Sequence, residues 1–121
     1  MGSFEVDVHR FCLENTNLNE DVVYSAITNE KTPLDSEVGV FFRCVWRTKS
    51  VMDSGGGVNM RNLQKFSESE PDRFRHLTDD EKLNVRSKLS DCELMPSLKQ
   101  EETAILLKNC HTNVVSVFKY L

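Results

Sequence analysis

The residues with most chemical scope in this 121-residue chain are four cysteines, Cys12, Cys44, Cys92 and Cys110, and three histidines, His9, His76 and His111. No CxxC occurs, so a thioredoxin-type dithiol is not expected. The cysteines also lack the close pairs from which zinc sites are built. An even count in a short chain permits two disulfides and an oxidising compartment, and all three pairings stay open. The competing reading is four reduced, buried thiols in a cytosolic helical domain. None of the histidines lies near a candidate nucleophile, and GxSxG, HExxH, P-loop and GxGxxG patterns are missing. Met52-Asp53-Ser54-Gly55-Gly56-Gly57 has the outline of a calcium loop. It lacks alternating carboxylates, and Gln64 stands where the closing glutamate is needed. Asp79-Asp80-Glu81 reads as an acidic first helical turn favoured by the helix dipole. Cys110-His111 reads as a half-cystine beside a surface histidine. The chain is therefore expected to be no enzyme and to use no metal or cofactor.

Composition narrows the partners. Lys plus Arg is 15 and Asp plus Glu is 19, a net charge of −4, with no basic cluster. That balance argues against nucleic acid and against electrostatic attachment to anionic lipid. The apolar share is 39% and the aromatic share 8%, enough for one core and too much for a disordered chain. No run approaches the ~18 apolar residues of a membrane span. One domain over residues 1–121 is expected. The start, Met1-Gly2-Ser3, reads as that of a mature secreted chain without its signal peptide.

The elements that must position these side chains are helical. Phe4, Val8, Phe11 and Cys12 form one stripe, and Val22, Val23, Ala26 and Ile27 a second. Pro33 closes that segment, and Asp35 is a plausible cap for the next helix. Val38, Phe41, Phe42 and Val45 make a third stripe, widened by Val40 and Cys44, which predicts a helix surrounded by the rest of the chain. Asp53 to Gly57 is a turn. Asn59 can cap a helix with Met60, Leu63 and Phe66, broken by Ser67 to Pro71. Thr78-Asp79-Asp80-Glu81 fits a capping box before Val85, Leu89 and Cys92. Pro96 to Gln100 is a further start signal, followed by Leu106, Leu107, Cys110 and Val114. A period-two trace appears only at Val114 to Leu121. The expected fold is all-α, a compact bundle of about six short helices tied by interhelical disulfides.

The segment Phe42-Arg43-Cys44-Val45-Trp46-Arg47-Thr48-Lys49-Ser50-Val51-Met52-Asp53-Ser54-Gly55-Gly56-Gly57-Val58-Asn59 resembles the middle signature of insect odorant-binding proteins. Those proteins carry a central helix with a cysteine, a hydrophobic-Met-Asp step, a glycine turn and a Val-Asn start to the next helix. The order and rough spacing of all four cysteines resemble the family too, so the likeness covers nearly the whole chain. The full family has six cysteines. Its second and fifth, which pair with each other, correspond to Val40 and Glu101 here, so the chain is similar to the four-cysteine "minus-C" subgroup. The resemblance implies the pairing Cys12–Cys44 and Cys92–Cys110. These bridges would close loops of ~33 and ~19 residues, worth ~3–4 kcal/mol each in the chain-entropy model. It also implies a looser wall between the central and last helices, where the third bridge is missing.

The resemblance further implies an apolar cavity holding a small hydrophobic ligand: an odorant, a pheromone or a fatty-acid-like molecule. Expected lining residues are Val8, Phe11, Phe41, Phe42, Val45, Trp46, Val51, Val58, Leu63, Phe74, Leu89, Leu106, Val114, Val117, Phe118 and Tyr120. Val8, Trp46, Val51 and Val58 match positions that face the pocket in the family. The apolar tail from Val114 to Leu121 is expected to pack over the cavity, with the Tyr120 hydroxyl available to a ligand. His9 and His111 are candidates for a pH switch near pH 6. The function so implied is a secreted carrier in aqueous lymph, a monomer or weak homodimer, with an olfactory receptor as a further partner. A salivary or venom scavenger on the same fold is one alternative. A helical interaction protein without a cavity is another, and an exposed Trp46 or a large apolar patch would favour it.

Overall fold

The computed structural model describes residues 6–29, 31–72, 76–92 and 99–115. Among them run six helices: α1 (Val6–Thr16), α2 (Glu20–Thr28), α3 (Gly39–Thr48), α4 (Met60–Asp72), α5 (Asp79–Ser90) and α6 (Gln100–Val115). No strand occurs among the described residues, and the one β-bridge joins Met52 and Val58 across the glycine turn. The all-α expectation holds. α3 and α6 form the central pair; α1 docks on α3, while α4 and α5 pack on each other and on α6.

Local chemistry explains most boundaries. Asn19 caps α2, its side chain accepting from the amides of Asp21 and Val22. Thr78 and Glu81 form the reciprocal capping box of α5. Asn59 accepts from the Asn62 amide at 3.0 Å and opens α4. Two boundaries differ from expectation. Asp35 caps nothing: Ser36 and Gly39 donate to the carbonyls of Pro33 and Ser36 in successive turns, so α3 starts only after Val38. α4 does not break at Ser67 but runs to Asp72. Ser67 is fully buried and bonded to α6, so tertiary packing carries the helix past a locally polar stretch.

The end of α3 aims the chain back inward. Ser50 donates to the Arg47 carbonyl at 3.1 Å and Val51 to the Trp46 carbonyl at 2.7 Å, the paired bonds of a Schellman cap. Ser50 takes φ +60 to make it, a position glycine usually fills. Val51 is thereby folded under the helix and fully buried. The following turn closes on Asp53. Its Oδ1 accepts from the amides of Gly55 (2.9 Å) and Gly57 (2.7 Å), while Gly56 takes φ +87. The carboxylate that suggested a calcium loop thus holds backbone amides.

The disulfides are Cys12–Cys44, joining α1 to α3, and Cys92–Cys110, joining the end of α5 to α6. This is the pairing the resemblance implied. No covalent bridge crosses the α3–α6 seam, yet the seam is close. A Cβ on Gly39 would lie 2.8 Å from the Glu101 carbonyl oxygen and 2.9 Å from the Glu101 Cβ, so only glycine permits the approach. Arg43 Nη1 pairs with Glu101 Oε1 at 2.5 Å, and Arg47 Nη2 donates to Gln100 Oε1 at 2.6 Å. The α2–α3 connection is latched onto α6 as well. Asn109 holds both main-chain groups of Thr32 at 2.9 Å, and the buried Lys108 ammonium donates to the Asn29 carbonyl and to Thr32 Oγ1.

Candidate functional site

The apolar interior draws on all six helices, α2 contributing Val23 and Ile27. Nine of the expected lining residues belong to one continuous buried cluster: Val8, Phe41, Phe42, Val45, Trp46, Val51, Leu63, Leu89 and Val114. Val58 packs against it, half-buried. The α3 stripe supplies four of the nine: Phe41, Phe42, Val45 and Trp46 are all fully buried, as the expectation of a surrounded helix requires.

Two expected residues face elsewhere. Phe11 is 53% exposed. α1 docks by Val8 and Cys12, with His9 and Leu13 half-buried beside them, and Phe11 lies on the opposite flank of that face. Leu106 is half-buried, on the side of α6 turned away from Ala104, Leu107 and His111. Phe74, Val117, Phe118 and Tyr120 lie outside the described residues, as do Phe4, Pro96 and the tail beyond Val115. Val114 and Val115 themselves end α6 as helix, not as an extended segment.

The centre of the cluster is aromatic. Trp46 packs edge-on against Phe66, with ring centroids 5.3 Å apart, and against His111 at 6.1 Å. Phe66 and His111 lie 4.8 Å apart. The indole N–H donates to the Ala104 carbonyl at 2.8 Å, which satisfies the one polar group of Trp46 without water. Farther along α3, Phe41 lies edge-on to Phe42 at 5.3 Å and to His9 at 5.4 Å.

Polar side chains enter this interior at points the sequence did not mark. His111 is not a surface residue: it is 1% exposed, and its Nδ1 is hydrogen-bonded to Ser67 Oγ at 2.8 Å. Burial, with the nearby Lys108 charge adding to it, lowers its pKa from 6.5 to about 3. The imidazole therefore stays neutral through pH 6, which overturns the switch expected there for this histidine. A signal for both residues was present in the spacing, since Ser67 is i+4 from Leu63 and His111 is i+4 from Leu107. Lys108 is fully buried, with its ammonium 6.0 Å from the Phe42 ring centroid. A lysine on an inner face gives no sequence signal apart from that spacing.

Two open surface grooves flank the interior. One, of about 620 Å³, runs along Arg47, Ser50 to Asp53 and Gly57 to Met60. The other, of about 500 Å³, lies between α1 and α3 along Phe11, Asn15, Val40, Arg43 and Thr48.

Comparison with known proteins fits this arrangement. The model of the PBP/GOBP family matches residues 6–115. No curated protein and no solved structure matches the chain significantly. The family comprises insect pheromone- and odorant-binding proteins, carriers of small ligands rather than enzymes, whose members are secreted. No helix among the described residues is long and apolar enough to cross a membrane. With six helices among the described residues, two bridges in the implied pairing and four cysteines as in the minus-C subgroup, the chain belongs to the PBP/GOBP family of insect pheromone- and odorant-binding proteins.

Proposed function

We propose that this protein is a secreted carrier that holds one small, mostly apolar ligand against the Trp46, Phe66 and Val51 side of its interior and moves it through aqueous lymph. The observation that carries the reading is the buried aromatic centre around Trp46, on the scaffold of a ligand-carrying family. The hydrophobic effect supplies the affinity. Burying ~300 Å² of apolar ligand surface gives roughly 7 kcal/mol at ~25 cal/mol per Å². The entropy of association removes part of that, which sets a micromolar scale. The burial of Trp46 supports this reading over an interaction protein built on an exposed tryptophan. Removal of Ser116 to Leu121, which lie outside the described residues, is expected to weaken or broaden ligand binding. The carrier acts as a monomer or weak homodimer and delivers its ligand to an olfactory receptor.

Trp46 is the single tryptophan, so its fluorescence reports on this one place. The test is titration with N-phenyl-1-naphthylamine, followed by displacement with long-chain alcohols. Saturable uptake at micromolar probe with a matching change in Trp46 emission is expected. Failure to take up the probe overturns the reading.

A further inference from the structure

The described interior is almost wholly hydrocarbon and aromatic, so the few buried polar side chains in it decide which ligand atoms are welcome. There are five: Thr32, Ser67, Lys108, His111 and Thr112. Thr32 and Lys108 are bound to each other in the latch that holds the α2–α3 connection. Thr112 lies one turn beyond Lys108, on the same side of α6. Only Ser67 and His111 stand within the aromatic centre, from α4 and α6, at the Phe66 and Trp46 rings.

We propose that the Ser67–His111 pair is the specificity-determining polar spot of the ligand site, selecting ligands that place a neutral hydroxyl or carbonyl against Ser67 Oγ. The proposal rests on the carrier reading above and deepens it. A serine hydroxyl has one donor and two acceptor positions, and its bond to His111 Nδ1 uses one of them. His111 orients the hydroxyl and is a positioning residue. Ser67 is fully buried, so a ligand that reaches it does so without water, where a hydrogen bond discriminates most strongly. The charge state of the surroundings favours neutral partners. His111 remains uncharged at physiological pH, and the Lys108 ammonium is engaged by the Asn29 carbonyl and the Thr32 hydroxyl. A protonated amine would enter a region that already holds one buried cation. A hydrocarbon would leave the serine without a ligand bond, and an alcohol would supply one.

The experiment compares decan-1-ol with decane as competitors for N-phenyl-1-naphthylamine in the parent protein, Ser67→Ala and Ser67→Cys. The two competitors share a chain length, so their affinity ratio reads the polar contact, and a purely structural loss moves both together. Ser67→Ala is expected to shift the alcohol-to-alkane ratio about fivefold to tenfold towards the alkane. Ser67→Cys keeps shape but bonds weakly, and shifts the ratio in the same direction if the alanine variant does not fold. An unchanged ratio in a folded variant overturns the assignment of Ser67 and leaves the carrier reading standing. No probe uptake by the parent overturns both.

Discussion

The indole N–H of Trp46 donates to the carbonyl oxygen of Ala104 at 2.8 Å, joining the two central helices by a buried hydrogen bond. The acceptor lies in the second turn of α6, so it accepts this bond in addition to its helical role. Trp46→Phe removes the donor and part of the indole volume together. It is expected to cost about 2–4 kcal/mol, the sum of a small cavity and a lost buried hydrogen bond. Urea denaturation followed by far-ultraviolet circular dichroism measures it. A loss below ~1 kcal/mol would mean that the seam repacks.

The α3–α6 seam separates a packing contact from an electrostatic one at a single residue. Gly39→Ala pushes its new methyl into the Glu101 backbone, for an expected loss of about 1–3 kcal/mol. Glu101→Ala removes the partner of Arg43. Both side chains of that ion pair are about one third exposed, 31% and 36%, so the expected loss is under ~1 kcal/mol. Thermal denaturation of both variants checks the ranking, and a larger loss in Glu101→Ala would reverse it.

Ser50 adopts φ +60 to complete the cap of α3. Ser50→Gly relieves that conformation without touching the two capping bonds, which run through the main chain. A gain of about 1 kcal/mol is expected, offset in part by the greater freedom of glycine in the unfolded chain. A neutral or negative result by chemical denaturation would show that the entropy of glycine wins.

His111 gives stability a pH dependence with a definite sign. Its pKa is about 3 in the fold against 6.5 for the free side chain, so the unfolded chain binds the proton more tightly. The contribution is complete above pH 6.5 and is lost as pH falls from there through about 3. Between pH 7 and pH 5 the expected loss is about 2 kcal/mol. His111→Leu removes this component, and the difference between the two stability profiles isolates it. Parallel profiles would mean that His111 is protonated inside the fold.

Much of this architecture was legible because local and tertiary signals agree. The α3 stripe of Val38, Phe41, Phe42 and Val45 pointed to a surrounded helix, and those four are buried. Thr78 and Glu81 announced α5, and they form its cap. The failures share one cause, which is that polarity alone does not say where a side chain faces. Ser67 read as a helix breaker and His111 as a surface residue, yet the two are hydrogen-bonded to each other inside the core. Lys108 hides for the same reason, its charge matched by a main-chain carbonyl that no spacing rule reveals. Phe11 errs the other way, an apolar residue at helical period on the wrong side of the docking line.

The bridge topology has a mechanical consequence. Cys12–Cys44 closes entirely before the Asp53–Gly57 turn, and Cys92–Cys110 entirely after it. The two covalent loops neither interleave nor enclose that exposed turn. A single peptide-bond cleavage there divides the chain into two separate molecules, each with its own staple, whose association is left to non-covalent contacts. The protein is thus a pair of complementary fragments joined by one uncrosslinked stretch of backbone, and no disulfide holds them together once it is cut.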